Sequence, residues 1–211
     1  MELLPKRLTG GEIGGIIDSR QYDDILQYDG NSNFTKEDYN KAVSVIPEKL
    51  RNELGEFVTR IYIGKDDEPS SYNPEKHEIR LNPKTGDKSI VHELGHAFGD
   101  MNNLYNDPEF LDILSEGLKL DNWGEVEYIP HPYVKDEYVY VLNSPKFVTP
   151  YQGRIYSDID TFDWSKPIEP KDFKEYISVG FQTYFNDPEL LKANDSKLHD
   201  YLEAMINGRH K

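Results

Sequence analysis

The sequence predicts an α+β fold in which a small twisted sheet lies over a central helix and a mainly helical part follows toward the C terminus. Two segments, FVTRIYIG (57–64) and HEIRLNP (77–83), are rich in β-branched and aromatic residues or alternate apolar with polar residues, which is typical of strands. The segment SIVHELGHAFGDM (89–101) has apolar residues at helical spacing. Beyond Pro170, two apolar-faced segments predict further helices.

Capping residues and helix breakers place the remaining elements. Thr35 and Asp38 have the spacing of a capping box, which predicts a helix after Thr35 that Pro47 breaks or restarts. The other expected elements are a helix near Asp18–Gln27, a helix start at Ser89, a helix over Pro108–Leu120, a strand in EYVYVLN (137–143), a helix over 171–185 and another from the N-cap Asp187 and Pro188. We expect a helical lead-in, residues 1–55, packed on one domain, residues 56–211.

The composition favours a folded and acidic protein. Hydrophobic residues make up 36% of the 211 residues and aromatic residues 12%, which is enough for one domain with a core. The net charge of −15 argues against nucleic acid or an anionic membrane as a partner, and is compatible with cations or basic substrates. Because the chain has no cysteine, any metal must be held by His, Asp or Glu.

The sequence has no segment with the apolar length of a signal peptide or of a membrane span. We therefore expect a cytoplasmic protein by default, and a secreted or virion-associated one if a leader has been removed. We also expect a monomer whose partner is a protein or peptide substrate.

The segment HELGH, residues 92–96, places two histidines four positions apart. Positions i and i+4 lie on one face of a helix, so His92 and His96 can direct both imidazoles at one ion. Glu93 is rotated by about 100° from His92, which suits a general base beside an activated water better than a ligand. The alternative is a pair of solvent-facing histidines, which the apolar neighbours Val91 and Leu94 disfavour. The motif predicts one Zn²⁺ per chain.

A catalytic zinc usually has three protein ligands and one open position. At the spacing of the longer motif HExxHxxGxxH the third ligand would be Asn102, whose amide is a poor zinc ligand, and Asp100 lies too far along the helix axis. His131, in a loop, and Glu175, on a second helix with an apolar face, remain candidates. A helix holds a side chain more rigidly than a loop does, which favours Glu175 and a His₂Glu site.

The segment HELGHAFGD, followed downstream by EYISVGFQTYFNDPELLKANDSKLHDYL, resembles the catalytic domain of anthrax lethal factor and its relatives, which include the Pro-Pro endopeptidases. These are zinc metallopeptidases of the gluzincin type, so the chain would be related to toxins. The resemblance covers about residues 60–206. It implies a zincin-like fold in which His92, His96 and Glu175 are zinc ligands and Glu93 is the general base.

The chain departs from this family at two positions. The family usually has a second glutamate one turn after the glutamate ligand, where this chain has Val179, so a hydrogen-bond partner for a ligand histidine is missing. The family also places an oxyanion-stabilising tyrosine shortly before that ligand, where this chain has Ile168. The candidates for this role are Tyr151, which precedes Gly153-Arg154 as in the family's Tyr-Gly-Arg-like stretch, and Tyr156.

The resemblance implies a zinc-dependent endopeptidase in which Glu93 takes a proton from water and a tyrosine hydroxyl supports the oxyanion. We expect strand 77–83 to line the cleft and to offer its free edge to an extended peptide. The alternative hypothesis is an inactive or weakly active zincin-like module with a binding or structural role in a toxin or phage assembly. Val179 and the displaced tyrosine favour this alternative.

Overall fold

The structure, a computed structural model, describes residues 26–27, 34–65, 68–118, 126–131, 134–156 and 169–208. Within these ranges it has an α+β fold, as predicted. The helices are α1 Lys36–Val43, α2 Glu48–Phe57, α3 Gly86–Met101, α4 Pro108–Leu118, α5 Lys174–Asn186, α6 Pro188–Asn194 and α7 Ser196–Ile206. The strands are β1 Leu26–Gln27, β2 Arg60–Ile63, β3 Ser71–Asn73, β4 Glu78–Leu81, β5 Val126–Pro130 and β6 Tyr138–Leu142. None of these helices has the length and apolar character needed to cross a bilayer.

The larger sheet has the strand order β1-β2-β4-β3, with β3 antiparallel to β4 and the other neighbours parallel. Its central strands bury Ile61 against Ile79 and Ile63 against Leu81, so their alternating apolar residues point into the core. The predicted strands are confirmed, but the predicted free edge of strand 77–83 is wrong. In this sheet β4 pairs on both sides, because the short strand β3 folds back onto it and occupies the edge.

The two helices before the sheet, α1 and α2, pack on the same core as the rest of the described chain. The capping box is present: the Asp38 N–H donates to Thr35 Oγ1 at 3.1 Å, and the Thr35 N–H donates to Asp38 Oδ2 at 2.8 Å. Pro47 separates α1 from α2. Leu26–Gln27 form strand β1 instead of the predicted helix, and the rest of that prediction lies outside the described residues.

Helix α3 carries the HELGH segment and begins at Gly86, three residues before the predicted start at Ser89. Ser89 is not the cap, because its hydroxyl donates to the Thr85 carbonyl one turn earlier at 2.9 Å. The same hydroxyl lies 2.6 Å from Ser70 Oγ, just before the edge strand. Ser89 therefore joins the first turn of α3 to the segment that leads into β3.

Helices α3 and α5 pack very closely at Gly95. A Cβ atom at Gly95 would lie 2.8 Å from the Cα of Ser178 and 3.0 Å from its carbonyl oxygen, which is closer than backbone atoms allow. A buried hydrogen bond joins α5 to the C-terminal helices, because the Tyr176 hydroxyl donates to Asp195 Oδ2 at 2.6 Å. Asp195 also caps α7 by accepting from the Leu198 N–H at 3.1 Å.

A second, two-stranded sheet of β5 and β6 supports the segment that follows it. The 3₁₀ turn Pro150–Gly153 packs so tightly on β6 that a Cβ at Gly153 would lie 2.0 Å from the Leu142 carbonyl oxygen. Arg154 then forms a β-bridge with Val141. The chain from residue 151 to residue 156 is therefore fixed between β6 and the start of α5.

The contact at Gly95 gives a test of this packing. Gly95→Ala should lower the free energy of unfolding by about 1–3 kcal/mol, because the added methyl meets backbone that cannot move aside. Gly99→Ala is the matched control one turn later on the same helix, where the new Cβ meets the end of the Ile177 side chain at 3.1 Å. Urea denaturation of both variants measures the difference, and equal midpoints would show that the helix contact does not limit the fold.

Candidate metal centre

The two histidines of HELGH lie on the face of α3 that points toward α5. The centroids of the His92 and His96 rings are 5.0 Å apart, and the rings are nearly perpendicular at 86°. His92 is buried, and the side chain of His96 is only 12% exposed. The predicted alternative of two solvent-facing histidines is therefore not what the structure has.

Glu175, in the first turn of α5, meets both histidines across the helix interface. Its Oε2 atom lies 2.9 Å from His92 Nε2 and 3.5 Å from His96 Nε2. The three ligand atoms lie within 4.8 Å of one another, and Glu175 is only 1% exposed. Three side chains from two helices thus present two imidazole nitrogens and one carboxylate oxygen to a single point, which is a donor set that could hold a metal ion.

Two hydroxyl groups orient the Glu175 carboxylate. The Ser178 hydroxyl, one turn later on α5, donates to Oε2 at 3.0 Å. The Tyr156 hydroxyl donates to the other oxygen, Oε1. The Arg154 guanidinium lies further away, with its NH1 atom 4.0 Å from Oε1. Both carboxylate oxygens are therefore engaged, and the rotation of the carboxylate is fixed.

The charges in this group keep Glu175 ionised despite its burial. Burial alone would raise its pKa, but the charge of His96 and hydrogen bonds from both histidines hold the pKa of Glu175 well below its usual range. Burial likewise disfavours a charged His92, but the hydrogen bond and charge of Glu175, the charge of Glu93 and a hydrogen bond with Gln182 together outweigh burial and raise the pKa of His92. The histidines and the carboxylate therefore stabilise one another as a unit.

Glu93 lies beside this group and is buried. Burial raises the pKa of its carboxyl, while the nearby charges of His92 and His96 oppose the shift. A backbone hydrogen bond from Tyr72, in the edge strand β3, also acts on this carboxyl. A carboxyl group whose pKa is moved upward toward neutrality is suited to accept and return a proton.

The edge strand is tied to α3 next to this carboxyl. The Tyr72 hydroxyl donates to Asp100 Oδ2 at 2.7 Å, and His77 Nε2 lies 3.7 Å from the same oxygen. Asp100 is therefore bound to the edge strand and does not belong to the group of possible ligands, in line with its position along the helix. The hydrogen bond from Tyr72 to Asp100 holds β3 alongside the HELGH segment of α3.

Tyr151 and Tyr156 lie on the same side of the group but have different surroundings. The ring centroid of Tyr151 is 6.4 Å from that of His92, and Tyr151 is only 8% exposed. Arg154 donates to the Tyr151 hydroxyl at 2.7 Å and lies 3.1 Å from His131 Nε2. Tyr156 is 39% exposed and holds Glu175. His131 therefore contacts the tyrosine side of the site and lies outside the group of possible ligands.

Burial and the charge of Glu175 raise the pKa values of both tyrosines, so both hydroxyls keep their protons and act as donors. Ile168, the position at which the resembling family would have its tyrosine, lies outside the described residues. Val179 is buried in α5 and offers no polar side-chain atom. The Nδ1 atom of His92 is also buried, and no group meets it at full hydrogen-bond geometry in the described part of the chain.

Sequence reasoning missed several residues that shape this site. Ser178 could have been found from its position three residues after Glu175, on the same helical face. Arg154 stands in the Tyr-Gly-Arg-like stretch, but nothing local in the sequence indicates that it bonds to Tyr151. Tyr72 lies about twenty positions before HELGH, and only the antiparallel pairing of β3 with β4 brings it to Glu93.

A second group of possible ligands, His199, Asp200 and Glu203, lies on α7. Both of its carboxylates are exposed, and His199 Nδ1 already lies 2.9 Å from Asp200 Oδ1. The group around Glu175 differs because it is buried, draws on two helices and has a carboxylate fixed on both oxygens.

The comparisons with known proteins add no relative to this picture. No protein-family model matches the chain, and no curated protein matches it significantly. The case for a function therefore rests on the chemistry of the site.

Proposed function

We propose that this protein is a zinc-dependent endopeptidase. The observation that carries the proposal is the convergence of His92, His96 and Glu175, from two helices, beside the buried carboxyl of Glu93. Two imidazoles with one carboxylate, and a separate carboxyl that is free of the ligand group, are the parts that metal-assisted peptide hydrolysis requires. The resemblance of the HELGH and Glu175 segments to gluzincin metallopeptidases supports the same proposal.

The residues fit a tetrahedral ion. Ligand atoms about 2.05 Å from a tetrahedral zinc are about 3.3 Å apart. The distances from Glu175 Oε2 to the two Nε2 atoms, 2.9 Å and 3.5 Å, lie on either side of this value. The donors are neutral or anionic nitrogen and oxygen, which suit zinc and other first-row divalent ions. Elemental analysis must therefore cover all of these metals.

A bound Zn²⁺ would polarise the substrate carbonyl and lower the pKa of a coordinated water toward about 7. Glu93 would hold the proton given up by the attacking water and return it to the leaving amine, a role for which its raised pKa is suitable. Tyr151 donates its hydroxyl proton to the carbonyl oxygen as negative charge develops there. Arg154 donates to the same hydroxyl, which makes the hydroxyl a stronger donor.

Both tyrosine hydroxyls interact with Glu175, and the Tyr151 hydroxyl also accepts from Arg154. Tyr156 is therefore given a different role in this proposal. It positions the ligand carboxylate and does not contact the substrate. Ser178 supports the other carboxylate oxygen in the same way. The oxyanion role that the sequence left open between two tyrosines is therefore given to Tyr151.

The edge strand β3 supports a peptide as the substrate. It is a free edge of the described sheet, and it lies against α3 through the bond from Tyr72 to Asp100. An extended peptide that pairs with this edge would pass the carboxyl of Glu93. A zincin-like fold, with a sheet over the HELGH helix and a helical part that carries Glu175, is part of this proposal.

A second function has a specific observation in its favour. Among the described residues, none meets His92 Nδ1 at full hydrogen-bond geometry, and Val179 stands where the resembling family has a polar residue. A ligand histidine that lacked an acceptor at Nδ1 would be less well oriented, which favours an inactive or weakly active zincin-like module that serves a toxin or phage assembly as a binding or structural part. Cleavage of peptides by the purified protein separates the two functions.

The first test compares the native protein with Glu93→Gln. The native protein should carry about one zinc per chain and cleave a peptide library, as expected for a three-ligand site. Glu93→Gln should keep the zinc and lose at least 100-fold in turnover, because an amide cannot accept the proton. Glu53→Gln, on an exposed part of α2, is the control and should cleave normally. Zinc without cleavage in the native protein would favour the non-catalytic module, and no metal would exclude both zinc-based functions.

The second test concerns the third ligand. Glu175→Ala should lower zinc affinity by more than 100-fold, because it removes a direct bond to the ion and not only a group that orients a ligand. His131→Ala should change zinc affinity by much less, since His131 contacts Arg154 and lies outside the ligand group. Competition titration with a chromophoric chelator measures both variants. A larger loss of zinc affinity in His131→Ala than in Glu175→Ala would instead identify His131, in the loop, as the third ligand.

The third test separates the two tyrosines. Tyr151→Phe should keep zinc bound and lower kcat about 100- to 1000-fold, as expected when one oxyanion donor is removed. Tyr156→Phe should instead weaken zinc binding about 10- to 100-fold, because it frees the carboxylate of Glu175. Steady-state kinetics at saturating zinc, together with a zinc titration, distinguish these effects. If Tyr156→Phe loses kcat at full zinc occupancy while Tyr151→Phe does not, the roles are exchanged.

A further inference from the structure

His92 has one ring nitrogen in the ligand group and one against the helix interface. Nε2 lies 2.9 Å from Glu175 Oε2, whereas Nδ1 is buried and meets no partner at full hydrogen-bond geometry within the described ranges. A histidine that binds a metal through Nε2 carries its proton on Nδ1. Such histidines almost always donate this N–H to a carboxylate, a carbonyl or water, which fixes the tautomer and the ring orientation. His92 therefore needs an acceptor at Nδ1.

The position one turn after Glu175 cannot supply this acceptor. Val179 is buried there, and its side chain contains only carbon and hydrogen. Ser178, next to it, already directs its hydroxyl at Glu175 Oε2. Neither of these two side chains therefore serves as the acceptor, and the next polar residue of α5 along the interface with α3 is the candidate.

Gln182 is the polar residue two turns after Glu175 on α5, and it is fixed against the turn of α3 that carries His92. Its Nε2 donates to the Lys88 carbonyl at 2.9 Å. Lys88 lies four residues before His92 in α3, so the same carbonyl is the helical partner of the His92 backbone N–H. The Gln182 amide thus lies directly beside His92, within reach of a side-chain hydrogen bond to its ring.

The bond to Lys88 also determines which amide atom faces the histidine. A carbonyl accepts only from the NH₂ group, so Nε2 must point at Lys88 and Oε1 is the atom left to accept. We propose that Gln182 is a positioning residue that accepts the Nδ1–H of His92 through Oε1. It thereby supplies the acceptor that Val179, at the position one turn after Glu175, cannot provide. Gln182 then fixes the tautomer in which Nε2 is free to bind the metal. This inference rests on the proposed metal site.

The experiment measures zinc affinity in the full chain by competition with a chromophoric chelator. Gln182→Met keeps the length of the side chain but has no acceptor, and should weaken zinc binding about 10- to 100-fold. Gln182→Glu keeps an acceptor at the same position and should stay within a few fold of the native protein. Thr183→Val is the matched control, because the Thr183 hydroxyl bonds only along its own helix, to the Val179 carbonyl at 2.8 Å, and it should bind zinc normally.

A spectroscopic measurement separates this role from a general effect on folding. In the zinc-loaded native protein, NMR of ¹⁵N-labelled histidine should show a slowly exchanging Nδ1–H on His92, and Gln182→Met should lose this protection. Urea unfolding with chelator present should move little for Gln182→Met. Native zinc affinity and an unchanged Nδ1–H signal in Gln182→Met would overturn the inference. Equal losses in the Met and Glu variants would overturn it too, since they would trace the effect to the bond with Lys88. Absence of zinc from the native protein would instead overturn the proposed metal site itself.

Discussion

The close approach of α3 and α5 at Gly95 is the constraint on which the site depends. The backbone of Ser178 occupies the space where any larger side chain at position 95 would lie. Because the two helices touch almost backbone to backbone, the short side chain of Glu175 can reach both His92 Nε2 and His96 Nε2. A wider separation of the two helices would leave the carboxylate short of the histidines.

The close packing buries the carboxylate of Glu175, and the groups around it must stabilise its charge. Glu175 is almost fully buried, and an ionised carboxylate in such a place is costly unless it is paired and hydrogen-bonded. Ser178 and Tyr156 donate to its two oxygens, and the histidines supply the opposing charge. The groups that stabilise this charge also fix the orientation of the carboxylate. The same hydrogen bonds therefore stabilise the buried side chain and would hold it in place for a metal ion.

Two other parts of the chain complete the surroundings of His92, His96 and Glu175. The edge strand β3 reaches Glu93 and Asp100 through Tyr72, and the segment 151–156 brings Tyr151 and Arg154 to the other end. Each is fixed by strand pairing: β3 by β4, and the later segment by β6. Glu93, which lies on α3 with the histidines, is therefore contacted by one sheet, while Tyr151 is held by the other.

The sequence by itself determined the main helices, the two central strands and the residue types of the candidate site, because these depend on local spacing: the i, i+4 histidines, the capping box at Thr35 and the apolar stripes of α3 and α5. Tertiary structure decided the rest. Strand pairing made β3 the edge in place of β4, and it brought Tyr72 to Glu93. Packing on β6 gave Tyr151 and Tyr156 different partners, and the helix interface placed the Gln182 amide beside His92. These contacts join residues far apart in the chain, so no local pattern in the sequence encodes them.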